Sequence, residues 1–61
     1  MIRETLKNTS PRVWTNIYLC NDDEKSLIAK CHGKGVAWHM ARGIEHVYNK
    51  SGFEEFYLLI D

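Results

Sequence analysis

The chain is predicted to be a small α+β domain in which one amphipathic helix lies on one face of a three-stranded antiparallel sheet. Two segments rich in β-branched and aromatic residues, 12–20 and 53–60, favour strands, and a helical apolar period runs through residues 35–50. The length of 61 residues accommodates one domain. We therefore expect residues 1–61 to form a single domain, with the polar residues 1–11 as a loose N-terminal arm.

The first and last predicted strands differ in how their apolar residues are distributed. The first alternates between two sides, with Val13, Thr15, Ile17 and Leu19 on one and Trp14, Asn16, Tyr18 and Cys20 on the other. The last is apolar on both faces from Phe56 onward. Because a single helix covers only one face of a small sheet, the second face indicates association with another chain.

Residues 21–32 are open to two interpretations. Asn21 and Glu24 fit a capping box that begins a helix, with Gly33 after its last turn, which gives a β-α-α-β chain. Alternatively, residues 21–24 form a hairpin turn and residues 25–32 form a strand. We favour the strand because two strands alone form a marginal sheet. The expected order is then β-β-α-β, with the strands arranged 2-1-3, all antiparallel, and a right-handed crossover.

The segment 35–50 shows the clearest periodicity of the chain. One side of the helical wheel carries an apolar stripe, which consists of Val36, Met40, Ile44 and Val47. The stripe is flanked by Ala37, Ala41 and Tyr48. Such a stripe is typical of an amphipathic helix that lies with this face on the core. Gly43 costs about 1 kcal/mol relative to Ala inside a helix, which indicates a close approach of the sheet or of another chain.

Composition limits the partners and the compartment. Eight Lys and Arg balance eight Asp and Glu, whereas nucleic-acid-binding domains typically carry a basic excess. The charged start of the chain lacks the apolar run of a signal peptide, and no segment is long enough to span a membrane. We expect a cytoplasmic protein in which Cys20 and Cys31 are reduced.

The sequence predicts no catalytic residues, metal or other cofactor. The Cys and His residues match no zinc-ligand spacing. Cys31 and His32 are neighbours on a predicted strand, so their side chains point to opposite faces and cannot act as a nucleophile and its base. The chain is also short for a concave, water-excluding pocket. We therefore expect a protein that is not an enzyme.

The turn Gly33-Lys34-Gly35 precedes the predicted helix. Free N–H groups at a helix N-terminus and a lysine suit an anion such as a phosphate. The alternative is a flexible turn that needs glycine geometry. As nucleic-acid contacts, the candidates are Lys30, Lys34 and Arg42, with His39 beside them.

The residues from Leu27 to Asp61 resemble the second half of an Alba-type nucleic-acid-binding domain, in which a strand, a Gly-basic turn, a helix and a strand follow one another. The matching positions are Ile28, Ala29, Lys30, Gly33, Lys34, Val36, Ile44, Glu45, Val47 and Lys50. The resemblance covers about half of the chain, implies the same order of elements and implies phosphate contacts at Lys30, Lys34 and Arg42. The first half has no room for the leading helix of that family, and the neutral charge departs from it.

Trp38 is placed by the helical wheel opposite the apolar stripe, beside Arg42 and Glu45. Trp and Arg are enriched at binding hot spots, and residues four apart on a helix can stack. His39 and His46 border the same patch, so these five residues form a predicted partner-binding face. The alternative is that Trp38 packs against the N-terminal arm.

Two functions are compatible with these features. The first is a small non-enzymatic protein-binding module, a regulator, inhibitor or accessory factor of phage or mobile-element type, which docks on a larger protein or forms a homodimer. The second is a small nucleic-acid-binding protein. We favour the first because the net charge is zero, the last strand lacks cover on one face, and Trp38 and Arg42 are expected to form an exposed helix face that docks on the partner.

Overall fold

The computed structural model describes residues 1–5, 14–50 and 55–61, and it confirms the α+β class. The elements in chain order are β1 (Ile2–Glu4), β2 (Trp14–Cys20), β3 (Lys25–His32), α1 (Lys34–Lys50) and β4 (Tyr57–Ile60). No helix among the described residues is long and apolar enough to cross a membrane.

The sheet has four strands in the order β1-β4-β2-β3. β2 pairs antiparallel with both β3 and β4, whereas β1 pairs parallel with β4. The prediction of a three-stranded, all-antiparallel sheet is therefore wrong, because β1 adds a fourth strand and a parallel pair. Ile2–Glu4 also depart from the loose arm expected for residues 1–11, of which 6–11 lie outside the described residues.

β1 is held to β4 by backbone and side-chain hydrogen bonds at its two ends. The Leu58 N–H donates to the Met1 carbonyl at 2.9 Å, and the Thr5 N–H donates to the Ile60 carbonyl at 2.9 Å. The Thr5 hydroxyl also donates to the Asp61 carboxylate at 2.6 Å. A strand of three residues is too short to show a period of two, which is why the sequence pattern missed it.

The link between β2 and β3 is a hairpin turn organised by one side chain. The Asn21 side-chain oxygen accepts from the N–H groups of Asp23 at 2.9 Å and Glu24 at 2.7 Å. An N-cap residue makes the same hydrogen bonds at the start of a helix. This is why the sequence of this turn is also compatible with a helix that begins at Asn21. Because Lys25–His32 form β3, the β-α-α-β alternative is not realised.

The core lies between α1 and one face of the sheet. Its buried members are Ile17, Cys31, Ala37, Ala41, Leu58 and Ile60, with Ile2, Leu19, Ala29, Trp38 and Ile44 packed around them. Ala37 and Ala41 are 0% exposed, so the smallest side chains of α1 are the ones that lie on the sheet. Cys20 and Cys31 are both buried free thiols.

Candidate functional site

The apolar stripe predicted for the helix is only partly used in the core. Val36, Met40 and Val47 are 54%, 42% and 62% exposed, which overturns the expectation that they lie on the sheet. Of the four stripe residues, Ile44 packs against the core cluster, and Met40 contacts it through its sulfur. Ala37 and Ala41 are buried instead, because the helix is rotated so that its small residues face the strands. We call the exposed set Val36, Met40, Gly43 and Val47 the apolar flank.

The apolar flank forms one wall of a shallow groove of about 580 Å³. The groove is also lined by His39, Ile44 and Tyr48, and nearly all of its accessible atoms are apolar. Gly43 lies in the middle of the flank, where a Cβ would meet no atom within 4 Å. The sheet therefore does not require glycine at this position, and another chain can approach the helix backbone there.

The two sides of α1 differ in chemistry. On the apolar side the helix lies beside β3, because the Met40 sulfur is 3.7 Å from the Cys31 sulfur. On the other side the helix lies beside β1, where Glu45 accepts from the Met1 amino group at 2.8 Å and Lys34 forms an ion pair with Glu4. Ion pairs therefore anchor one side of the helix and leave the apolar flank on the other, above the edge strand β3.

The predicted partner-binding face is placed differently from the apolar flank. Trp38 is partly buried and packs against the core cluster, and the Arg42 guanidinium lies over its ring at 5.9 Å from the ring centre. Glu45 is partly buried and ion-paired, whereas His39 and His46 are exposed. Trp38 is therefore partly covered by the core rather than exposed as expected, and only His39 of the five residues lines the groove.

The three predicted phosphate contacts do not meet at one place. Lys30 is next to the core residue Cys31 on β3, and successive side chains of a strand point to opposite faces. Lys30 therefore lies on the sheet face away from α1. Lys34 is in the first turn of the helix and is paired with Glu4, and Arg42 lies over Trp38. The Gly33-Lys34-Gly35 turn therefore has a lysine whose charge already has a partner.

The sheet face away from α1 carries a second group of aromatic and basic side chains that the sequence did not single out. The Arg3 guanidinium lies 4.2 Å from the centre of the Tyr57 ring, and the Lys25 ammonium lies 4.3 Å from that of Tyr18. At the β2–β3 edge, Trp14 packs edge-on against His32 with ring centres 5.2 Å apart. Strand alternation was visible in the sequence, but the contact of Arg3 with Tyr57 depends on the pairing of β1 with β4.

Across residues 1–5, 14–50 and 55–61, no group of three or more His, Cys, Asp or Glu side chains is placed to hold a metal ion. Cys31 is buried against Met40, and His32 lies on the opposite face of β3.

Comparisons with known proteins give no relative. No protein-family model, no curated protein and no solved structure matches the chain. The resemblance to Alba-type domains therefore finds no support there, and the functional argument depends on the geometry of the site.

Proposed function

We propose that the chain is a non-enzymatic protein-binding module, a small regulator or accessory factor, that docks on a larger protein through the apolar flank of α1. The observation that supports this is the exposure of Val36, Met40 and Val47 on one side of a helix. Large exposed apolar side chains that form a continuous surface are typical of interaction sites, because leaving them in water is unfavourable.

The chemistry of the flank defines the partner that suits it. Among the residues that the structure describes, no Lys, Arg, Asp or Glu side chain lines the groove, and its lining is apolar apart from His39 and the Tyr48 hydroxyl. A helix with one apolar face binds by lying in an apolar groove of its partner, with anchors spaced three or four residues apart. We therefore propose an uncharged, apolar groove on the partner rather than an acidic or phosphate-bearing surface.

A pull-down from cell lysate treated with nuclease tests this proposal. We expect a discrete protein band with the wild-type chain and its loss with Val47→Glu, which places a charge on the apolar flank. Arg42→Glu is the matched control, since it also introduces a carboxylate on α1 but lies on the side of Trp38. Capture that survives Val47→Glu and is lost with Arg42→Glu would move the docking face back to the Trp38–Arg42 side.

A second candidate function, binding of single-stranded nucleic acid, is favoured by the sheet face away from α1. Aromatic rings stack on bases and cations contact the backbone. The half-buried Tyr18 and Tyr57 supply rings on this face, and Arg3, Lys25 and Lys30 supply cations. The net charge of zero weakens this candidate. Binding of a labelled oligonucleotide that falls steeply with salt and is lost with Lys30→Glu supports it, and no binding at low salt excludes it.

A further inference from the structure

The apolar flank has the spacing of a helix–helix contact. Val36, Met40, Gly43 and Val47 are separated by four, three and four residues. This alternation keeps side chains on one straight seam along a helix, and it is the spacing by which two helices pack at a small crossing angle. The apolar stripe of a helix that packs on a core is usually wider than this seam. In this chain Ala37 and Ala41 are the fully buried residues of the helix.

We propose that the apolar flank pairs with the apolar flank of a second copy of the chain, in an antiparallel, two-fold symmetric dimer of α1 helices. This inference rests on the proposed function, since it names a protein that the same flank binds. A two-fold axis brings the same surface of both copies together, so the flank must be complementary to itself.

Self-complementarity follows from the order of side-chain sizes along the seam. When two such helices run antiparallel, Val36 lies opposite Val47 of the other copy, and Met40 lies opposite Gly43. The long, flexible Met side chain then fills the space above a residue without a side chain. That space is open, because a Cβ at Gly43 would meet no atom within 4 Å.

Charge also permits two copies to meet at this flank. Among the residues whose side chains the structure describes, His39 and His46 border the seam on its solvent side and Ala37 and Ile44 on its sheet side, and none of these carries a carboxylate, ammonium or guanidinium. Lys50 comes three residues after Val47, at the C-terminal end of the helix. The ion-paired Glu45 and Lys34 lie on the far side of the helix. Antiparallel helices in addition align their macrodipoles favourably.

The size of this surface sets the strength of the dimer. The flank runs from Val36 to Val47, which is roughly 18 Å at about 1.5 Å per residue. A strip of that length and roughly 10 Å width buries about 360 Å² over both copies. Stable interfaces bury about 1,200–2,000 Å², so the dimer is weak and forms in the micromolar to millimolar range. Since one flank holds one occupant at a time, self-association competes with docking on a larger protein.

Sedimentation equilibrium of the purified chain from micromolar to millimolar concentration tests the dimer. We expect a monomer–dimer equilibrium that Met40→Glu and Val47→Glu each weaken at least about tenfold, whereas Arg42→Glu leaves it unchanged. Val47 is the more exposed of the two, so its variant retains the fold if the Met40 variant does not, and circular dichroism checks both. In a mixed sample of labelled and unlabelled chains, isotope-filtered NMR should show contacts between the Met40 methyl group and Gly43.

Three results would contradict the dimer, its interface or the proposed function. A wild-type chain that stays monomeric at millimolar concentration overturns the dimer, and Val47-dependent capture of a different protein in the same preparation would leave the proposed function standing. A dimer that ignores both Met40→Glu and Val47→Glu overturns the proposed interface. Absence of a pull-down band with the wild-type chain, with the dimer intact, overturns docking on a larger protein and leaves the self-association.

Discussion

At the scale of single residues, Gly33 shows most directly how one position fixes the fold. It joins β3 to α1 with a φ of 103°, and its carbonyl accepts the first hydrogen bond of the helix from the Ala37 N–H at 3.2 Å. An L residue at such a φ is strained, whereas glycine is not. From the sequence, Gly33-Lys34-Gly35 was compatible with an anion site or with a turn that needs glycine. The positive φ of Gly33 favours the turn.

Gly33→Ala is therefore expected to lower the free energy of unfolding by about 1–2 kcal/mol, because the left-handed conformation costs that much for an L residue. Gly35→Ala is the matched control. It lies in the first turn of the helix, where a Cβ meets nothing within 4 Å, so its effect is neutral or stabilising. Urea unfolding followed by circular dichroism measures both variants, and equal destabilisation by the two would contradict a special role for Gly33.

Trp38 illustrates the limit of reasoning from a helical wheel at this scale. The wheel correctly placed it away from Val36 and Met40, and Arg42 does lie over its ring. However, the wheel does not say which direction faces the sheet. Because Trp38 packs against the core, its exposure and its value as a binding residue could not be predicted from the position of the apolar stripe.

At the scale of the element, α1 was predictable in extent but not in rotation. The period of 3.6 residues placed the helix at 35–50, and the structure has it at Lys34–Lys50. The buried face is decided by size as well as hydrophobicity, because Ala37 and Ala41 let the helix axis approach the strands closely. Hydrophobicity alone favours the larger Val36, Met40 and Val47, which the ion pairs with β1 and the N-terminus leave on the outer side.

The rotation of α1 predicts opposite outcomes for the same substitution on its two faces. Ala41→Glu buries a carboxylate that has no space or partner, so it should unfold the domain or cost at least about 3 kcal/mol. Val47→Glu lies in solvent and should change stability by no more than about 0.5 kcal/mol. Thermal unfolding of the two variants at low concentration checks this, and a large loss for Val47→Glu would mean that the flank belongs to the core.

At the scale of the whole molecule, the sheet depends on its first residues. Ile2 packs against the core and pairs with Leu58, whereas Arg3 alternates to the other face and lies over Tyr57. The sequence predicted the hairpin and the strand after the helix from local patterns. It could not predict β1, because the pairing that defines this strand is with residues at the other end of the chain.

Ile2→Ser should therefore destabilise the domain by about 1–3 kcal/mol through lost apolar burial, even though it lies in a polar segment. Arg3→Ser is the control on the same strand. It should lower the free energy of unfolding by only ~0.5–1 kcal/mol, the value of an exposed cation–π contact. Denaturant unfolding of the two variants distinguishes a structural strand from a loose arm, which would tolerate both changes.

The parallel pairing of β1 with β4 has a consequence for how the chain acquires its fold during synthesis. β2 and β3 can close as a hairpin as soon as they leave the ribosome, since a short turn joins them. β1 is made before these two strands but pairs only with β4, which is released later, and α1 must cross β2 before that happens. Closing so long a loop is slow, so β1 joins the sheet only after β4 has left the ribosome. Until then the nascent chain carries an incomplete core, because Ile2, Leu58 and Ile60 all contribute to it.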